Sequence, residues 1–348
     1  MSRLVARSTR AAGPRRHAAA GLVAAALAAA AIATTAARAP ETVVLGVGSA
    51  PGSAVYLQVD VAKALGYFAD EGIDVRIQNF RGGAVAGTAL IGGSVDVSAN
   101  AIDHVIKARQ QGKDLRFIAS FAHLPALPLV VAEKYRGVIK TVADLKDRPI
   151  GVTAPGSATD LLMRVLFLKA GLDPKSARLI GVGSNTMPAA LEHDQVHAAI
   201  GLDPWATDLV RRGKAFVLVD FRTEKDTRTV FGGPYQLTGL LTRADVIAKR
   251  PAALQHVVNA VVRANRWMAA NPVEKWADLL PREIVGDRSS FVESMKASKD
   301  IFSADSLPRR EGVVNVLLAF DSTGQVPGAK SMNPDDLVDL QFVKKARP

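Results

Sequence analysis

Apolar runs of strand length alternate with helix-like runs along most of this chain, and this alternation constrains its fold more than any other feature. A first series extends from Thr42 to Ala132 and a second from Ile150 to Leu241, and mostly helical patterns follow from Asp245. Strands that alternate with helices at this spacing are typical of parallel sheets with helices on both faces. We therefore predict an α/β protein built from two doubly wound lobes.

The segment from Ile150 to Asp160 shows the pattern and also indicates a binding site. Ile150–Thr153 is predicted to be a buried strand, Pro155-Gly156 favours a turn, and Ser157 or Thr159 can cap the following helix. Backbone N–H groups at such a junction point at one place, where a small anion can bind. An ordinary turn explains this segment equally well when it is taken alone.

The first 39 residues have the order of a secretory signal peptide. Five arginines precede an Ala/Leu/Val-rich run over residues 18–33, and small residues follow up to Ala39. The apolar run is shorter than the roughly 20 residues that a membrane-spanning helix needs, so cleavage is favoured over an uncleaved anchor. Cleavage after Ala37 or Ala39, by either the general or the twin-arginine export route, fits the sequence.

The net charge of +11 does not indicate a nucleic-acid-binding protein. Six of the positive charges are arginines of the first 39 residues, and no acidic residue precedes Glu41. The remaining chain has an ordinary charge balance, only 5% aromatic residues and no basic stripe interleaved with aromatics. We expect no nucleic-acid partner.

The chain contains no cysteine, which excludes disulfides, a thiol nucleophile and a lipid anchor on cysteine. An exported protein without a lipid anchor is retained where an outer membrane encloses it, so we predict a periplasmic location. His193 and His197 are four residues apart, but the pattern changes from helix to strand between them, and we expect no metal site. We also expect no cofactor and no catalytic residue. The Gly-x-Ser-x-Gly pattern is absent, and the absence of a P-loop pattern indicates that this chain is not the ATPase of a transporter.

Six short segments occur in a characteristic order between Val43 and Leu241. They are Ala-Lys-Ala-Leu-Gly-Tyr-Phe…Glu-Gly-Ile-Asp-Val (62–75), Arg-Gly-Gly-Ala (81–84), Gly-Gly-Ser-Val-Asp-Val (92–97), Val-Ala-Asp-Leu-Lys (142–146), Gly-Val-Thr-Ala-Pro-Gly-Ser-Ala-Thr (151–159) and Leu-Asp-Pro-Trp-Ala (202–206). In this order they resemble the periplasmic substrate-binding proteins of ABC importers. The branch that they resemble handles nitrate, taurine, aliphatic sulfonates and thiamine-pyrimidine precursors.

The resemblance implies a type II periplasmic-binding-protein fold, in which two crossover strands join the lobes and hinge closure traps a ligand in the cleft. After the signal peptide (1–39), residues 40–132 and 229–348 would form lobe one, and residues 133–228 would form lobe two. The resemblance also implies a monomeric, non-enzymatic receptor whose partners are an ABC permease and its ATPase in the inner membrane.

Ligands of open α/β sheets bind beyond the carboxyl ends of the strands, and the loops there supply the candidate binding residues. These candidates are Ser49, Ser53, Arg81, Gly83, Ala84, Asn100, Gly156, Ser157, Ala158, Thr159, Asp203, Trp205 and Tyr235. Hydroxyls, helix-start amides and an inward Arg81 would suit a sulfonate, and Trp205 would cover an aliphatic chain.

Plainer roles are open for several of these side chains. Ser49 and Ser53 could cap helices, Arg81 could be a solvated surface charge, and Trp205 could pack in a core. Asp103 and Asp160 are expected to be caps or surface groups, although an inward carboxylate would suit a cationic ligand end such as an amine.

We therefore predict a receptor for a small anion, above all an aliphatic sulfonate or a taurine-like compound. Nitrate, or a pyrimidine precursor stacked on Trp205, Tyr56 or Tyr235, is the alternative within transport. An enzyme on the same fold and a sensor subunit that presents ligand to a membrane kinase are further alternatives.

Overall fold

The protein, analysed as a computed structural model, is described for Met1 and residues 40–346, and the predicted signal peptide otherwise lies outside these residues. The described residues contain ten strands. These are β1 (Glu41–Val47), β2 (Ile73–Asn79), β3 (Val97–Ala101), β4 (Leu115–Ser120), β5 (Pro128–Ala132), β6 (Ile150–Val152), β7 (Leu179–Gly181), β8 (Ala198–Ile200), β9 (Ala215–Asp220) and β10 (Thr238–Arg243).

Fifteen α-helices follow or cover these strands within the same residues. They are α1 (Leu57–Ala64), α2 (Tyr67–Asp70), α3 (Gly83–Ile91), α4 (Asp103–Gln110), α5 (Ala158–Lys169), α6 (Met187–Glu192), α7 (Trp205–Arg211), α8 (Glu224–Phe231), α9 (Ala244–Lys249), α10 (Pro251–Ala270), α11 (Val273–Leu279), α12 (Arg282–Val285), α13 (Arg288–Ser298), α14 (Arg310–Ser322) and α15 (Gln341–Lys345). In the part of the chain that the structure describes, none of them combines the length and the apolar character of a membrane span.

Two five-stranded sheets form the centres of two lobes, which confirms the predicted α/β architecture. The first sheet has the order β2-β1-β3-β10-β4, and the second has the order β7-β6-β8-β5-β9. We call the part of the molecule around the first sheet lobe one and the part around the second sheet lobe two.

The alternation of strands and helices predicts parallel sheets, whereas each sheet contains one antiparallel strand among its parallel ones. β10 runs antiparallel to β3 and β4, and β5 runs antiparallel to β8 and β9. Both strands come directly after a crossing between the lobes, at residues 121–127 and 221–237, so the chain enters the new sheet from the opposite direction. The predicted limits assign β5 to lobe one, whereas its backbone pairs in the second sheet.

The C-terminal helices pack mainly on lobe one and also reach lobe two. α10 packs along α1 and α2 with a buried face that includes Val257, Val261 and Met268. α13 contacts α7, and α14 contacts α5, so the C-terminal segment touches both lobes. Apolar side chains from both sheets form the core, and each of them is at most 9% exposed. The strands are therefore held in position by close packing up to the ends that face the site.

Candidate functional site

A narrow cavity of about 30 Å³ lies between the lobes, beyond the carboxyl ends of their strands. Lobe one and the two crossings supply one wall, and lobe two supplies the other. The lining residues are Gly48, Val55, Tyr56, Gly83, Asn100, Ala101, Leu127, Leu237 and Thr238 on the first wall and Thr153, Ser157, Ala158, Thr159 and Leu202 on the second. The cavity therefore lies where open α/β sheets hold their ligands.

Three hydroxyl groups form a compact cluster on the lobe-two wall. The Oγ1 of Thr153 lies 3.0 Å from the Ser157 Oγ and 3.1 Å from the Thr159 Oγ1, which in turn lies 2.7 Å from the Ser157 Oγ. The Thr159 Oγ1 also accepts a 3.0 Å hydrogen bond from the Thr153 N–H. Because each hydroxyl can rotate and donate one proton, the cluster can turn donors toward a ligand.

The capping bond predicted for Ser157 or Thr159 is not formed. Ser157 occupies the N-cap position of α5 with extended backbone, but its hydroxyl bonds to Thr153 and Thr159 rather than to the helix backbone. The first turn of α5 therefore keeps N–H donors beside the hydroxyl cluster, at the positive end of the helix dipole.

Gly83 and Asn100 fix the opposing wall. The Asn100 Nδ2 donates to the Gly83 carbonyl at 2.9 Å, and its Oδ1 accepts from the Ala101 N–H at 2.9 Å. A Cβ atom on Gly83 would lie 2.6 Å from the Asn100 Oδ1, so only glycine allows this approach. The close contact holds the first turn of α3 against the end of β3, facing the cavity.

Five of the predicted binding residues line the cavity: Gly83, Asn100, Ser157, Ala158 and Thr159. Gly156 lies at its edge, where its N–H donates to the Asp160 carboxylate at 2.8 Å and its carbonyl accepts from Lys107. A positive φ of 73° at Gly156 makes the turn before α5. For these residues a role in binding stays a prediction.

Four predicted residues of lobe one lie outside the cavity lining. Ser49 is buried and accepts a 2.9 Å bond from the Asn79 side chain through its carbonyl. The Ser53 hydroxyl is buried without a partner among the described residues. Arg81 is exposed and lines a separate surface depression with Ala84. Its guanidinium therefore does not point into the cavity, as sulfonate binding by this residue would require.

Asp203, Trp205 and Tyr235 also lie outside the cavity lining. Asp203 is 1% exposed and accepts from Arg222 at 3.0 Å and from the Thr207 N–H at 3.0 Å. Burial raises the pKa of Asp203, and the charge of Arg222 opposes this rise. Trp205 packs against the lobe cores, and Tyr235 stacks on Phe231 with a centroid distance of 4.1 Å.

Much of the lining lies outside the loops that the sequence indicates. Thr238 lies in β10, and its hydroxyl is buried without a partner in the described part of the chain. Leu127 and Leu237 lie in the two crossings, which no local pattern marks as cavity residues. Tyr56 was considered only as a stacking surface, and Thr153 was assigned to the strand before the turn. Both are polar residues directly beside loops that the sequence does indicate.

The lobes touch each other around the cavity. The Ser184 N–H donates to the Arg81 carbonyl at 3.0 Å, and the Ser184 Oγ accepts from the Ala50 N–H at 3.3 Å. The Asp203 carbonyl accepts from the Ala54 N–H at 3.0 Å, and Lys107 of lobe one donates to the Gly156 carbonyl of lobe two. These hydrogen bonds between the lobes show that the cleft is closed in this structure.

Comparison with solved structures identifies the fold. A protein of Bordetella bronchiseptica RB50 is 31% identical, with a TM-score of 0.83 over 89% of this chain and 97% of that one. The periplasmic aliphatic sulphonate binding protein SsuA of Escherichia coli is 20% identical, with a TM-score of 0.64 over 88% of this chain and all of that one. The fold is therefore that of the periplasmic binding proteins.

The relatives found among curated sequences match a smaller share of this chain. A protein of Brucella abortus named only as a binding protein is 25% identical over 58% of this chain and 61% of its own length. The 4-amino-5-hydroxymethyl-2-methylpyrimidine phosphate synthase of Schizosaccharomyces pombe is 30% identical over 42% of this chain and 41% of its own length. The matches thus span less than two thirds of these relatives. The sequence model of the NMT1-like family matches residues 38–278, and the chain belongs to that family.

Proposed function

We propose that this protein is the extracytoplasmic solute-binding component of an ABC importer and that it captures a small anion, an aliphatic sulfonate or a taurine-like compound. It would be exported by a cleaved signal peptide and would deliver its ligand to a permease and ATPase in the inner membrane. The observation that carries the proposal is the cavity between the lobes, which is lined by the starts of α3 and α5 and by the hydroxyls of Thr153, Ser157 and Thr159.

The character of the lining supports an anion with an apolar part. Neutral hydroxyl and N–H donors at helix starts bind oxyanions without a full positive charge. The side chains of Val55, Leu127, Leu202 and Leu237 lie in the same cavity and would contact an alkyl chain. A sulfonate on the hydroxyl cluster with its carbon chain on these residues would satisfy both parts.

The lining also supports binding without catalysis. General acid–base chemistry needs a titratable group within hydrogen-bond reach of the reacting atoms. Tyr56 is the one titratable side chain in the described lining, and burial followed by the charge of Asp103 raises its pKa. A phenol that holds its proton this strongly does not act as a base near neutral pH.

A second candidate ligand is a pyrimidine precursor of the kind named in the Schizosaccharomyces pombe relative. Tyr56 in the cavity wall supports it, because an aromatic ring can stack on a flat heterocycle. The 30% identity to a pyrimidine phosphate synthase supports it as well, although that match covers 42% of this chain.

Calorimetric titration of the protein without its first 39 residues tests these proposals. The probes are taurine, ethanesulfonate, longer alkanesulfonates, nitrate and 4-amino-5-hydroxymethyl-2-methylpyrimidine. We expect an anion to bind and Ser157→Ala to weaken it by about 1.5–3 kcal/mol, because a hydrogen bond to a charged group is lost. Ser176→Ala is the control, since this exposed hydroxyl bonds only to the Asp173 carbonyl within its own turn. Failure of every anion to bind would overturn the anion proposal, and binding of the pyrimidine alone would establish the second candidate.

A further inference from the structure

Asp103, the first residue of α4, is a fully buried carboxylate that the proposed anion site does not use. Its side chain is 0% exposed, and neither oxygen has a hydrogen-bond partner among the described residues. It directly follows Ala101 and Ile102, and Ala101 lines the cavity. A buried carboxylate without hydrogen bonds is costly to the folded state unless an opposite charge or a hydrogen-bond donor compensates it.

The neighbouring basic groups compensate this charge only in part. The His104 Nε2 lies 3.7 Å from one Asp103 oxygen, and the Lys107 Nζ lies 3.9 Å from the other, both beyond hydrogen-bond length. Burial lowers the pKa of His104, so this ring is neutral near pH 7. The Lys107 ammonium donates instead to the Gly156 carbonyl across the cleft.

Further polar atoms without partners lie around the same place. The Tyr235 hydroxyl and the Thr238 Oγ1 are buried and unpartnered within the described residues, and Thr238 pairs with Ala101 in the sheet and lines the cavity. Burial, followed by the charge of Asp103, raises the pKa of Tyr56 in the cavity wall and the pKa of Tyr235. Of these residues, Tyr56 and Thr238 line the cavity opposite the hydroxyl cluster of lobe two, and Asp103 and Tyr235 are buried behind that lining.

We propose that Asp103, with Thr238 and Tyr235 beside it, forms a second subsite that receives a protonated amine or an N–H donor of the ligand. This inference rests on the proposed function and narrows it. The ligand is then not a simple anion but a molecule with an acceptor end on Thr153, Ser157 and Thr159 and a nitrogen donor at the other end. A zwitterionic amino sulfonate has this pattern, and an amino-substituted heterocycle has its neutral equivalent.

Two pairs of probes test this subsite by calorimetry. Taurine and ethanesulfonate share a sulfonate and differ in the amine, and 4-amino-5-hydroxymethyl-2-methylpyrimidine and its analogue without the 4-amino group differ in the N–H donor. We expect the nitrogen-bearing member of at least one pair to bind tenfold or more tightly, and we expect Asp103→Asn to reduce that preference to less than about threefold. Asp96→Asn is the control, because this partnered carboxylate precedes β3 and lies at the strand end opposite the cavity.

The outcomes separate the subsite from the proposed function. Equal binding of taurine and ethanesulfonate, with no preference in the pyrimidine pair, overturns the subsite and leaves anion capture standing. An Asp103-dependent preference in the pyrimidine pair, without binding of any anion, supports the subsite and overturns anion capture. Absence of binding by all four probes overturns both. Thermal unfolding shows whether Asp103→Asn folds. Where it does not, equal binding within both wild-type probe pairs still overturns the subsite.

Discussion

Single residues set how closely the two helix starts approach the cavity, and Gly83 is the clearest case. A Cβ at this position would lie 2.6 Å from the Asn100 Oδ1 and 3.0 Å from the His104 Nε2. We expect Gly83→Ala to lower the free energy of unfolding by about 1–3 kcal/mol, because an added methyl in a packed site forces its neighbours apart. Gly137→Ala is the control, since a Cβ atom added to Gly137 would have no contact within 4 Å beyond its chain neighbours. Urea denaturation measures both, and an unchanged midpoint for Gly83→Ala would contradict the steric argument.

His104 makes stability depend on pH. Burial lowers the pKa of His104 in the folded protein, whereas the unfolded chain binds a proton near pH 6.5. The unfolded state therefore takes up more protons, and stability falls as the pH drops through and below about 6.5. Unfolding midpoints measured between pH 5 and pH 8 are expected to fall toward acid, and less steeply in His104→Asn. Part of the slope remains in the variant, because burial also lowers the pKa of His123.

Among the elements, α8 is a short and mostly polar helix whose two ends are both capped. The Thr223 Oγ1 accepts from the Asp226 N–H at 3.2 Å, and Gly232 ends the helix with a φ of 81°. We expect Thr223→Ala to cost about 1 kcal/mol of stability through loss of the N-cap. Thr229→Ala in the exposed middle of the same helix is the control, and its effect is expected to be near zero or stabilising. Equal losses in the two variants would argue against the cap.

Local sequence patterns predicted most helices and strands. They failed for a helix of mostly polar residues and for the direction of a strand that pairs with distant segments. The local sequence predicts helix α6 with the bounds Met187–Glu192 that the structure shows, because its apolar positions recur at helical spacing. Helix α8 was missed because its sequence, Glu-Lys-Asp-Thr-Arg-Thr-Val-Phe, is mostly polar and has apolar residues only at its last two positions. The direction of β10 depends on partners far away in sequence, which no window of local residues contains.

The candidate site likewise contains residues that the local sequence predicts and residues that it does not. Ser157, Ala158 and Thr159 were predicted because strand, turn and helix start follow one another in sequence. Thr238 reaches the cavity only through its pairing with Ala101, and the burial of Asp103 depends on packing around α4. Such placements follow from tertiary structure, which overrides what a single loop indicates.

For the whole molecule, contacts between the lobes stabilise the closed cleft. The Ser184 Oγ accepts from the Ala50 N–H, and this bond exists only when the lobes meet. We expect Ser184→Ala to release bound ligand about twofold to tenfold faster, because a neutral hydrogen bond contributes about 0.5–1.5 kcal/mol. Stopped-flow dissociation measures this, and the exposed Ser94→Ala is the control. An unchanged release rate would mean that this contact does not limit opening.

The exchange of strands between the lobes has a consequence for biogenesis. β3 and β4 emerge early during synthesis, but the strand that lies between them, β10, is among the later parts of the chain. Until residues 238–243 arrive, two sheet edges stay open to pairing with other chains. We therefore expect a nascent chain, or one truncated before Thr238, to aggregate more readily than a chain that includes β10.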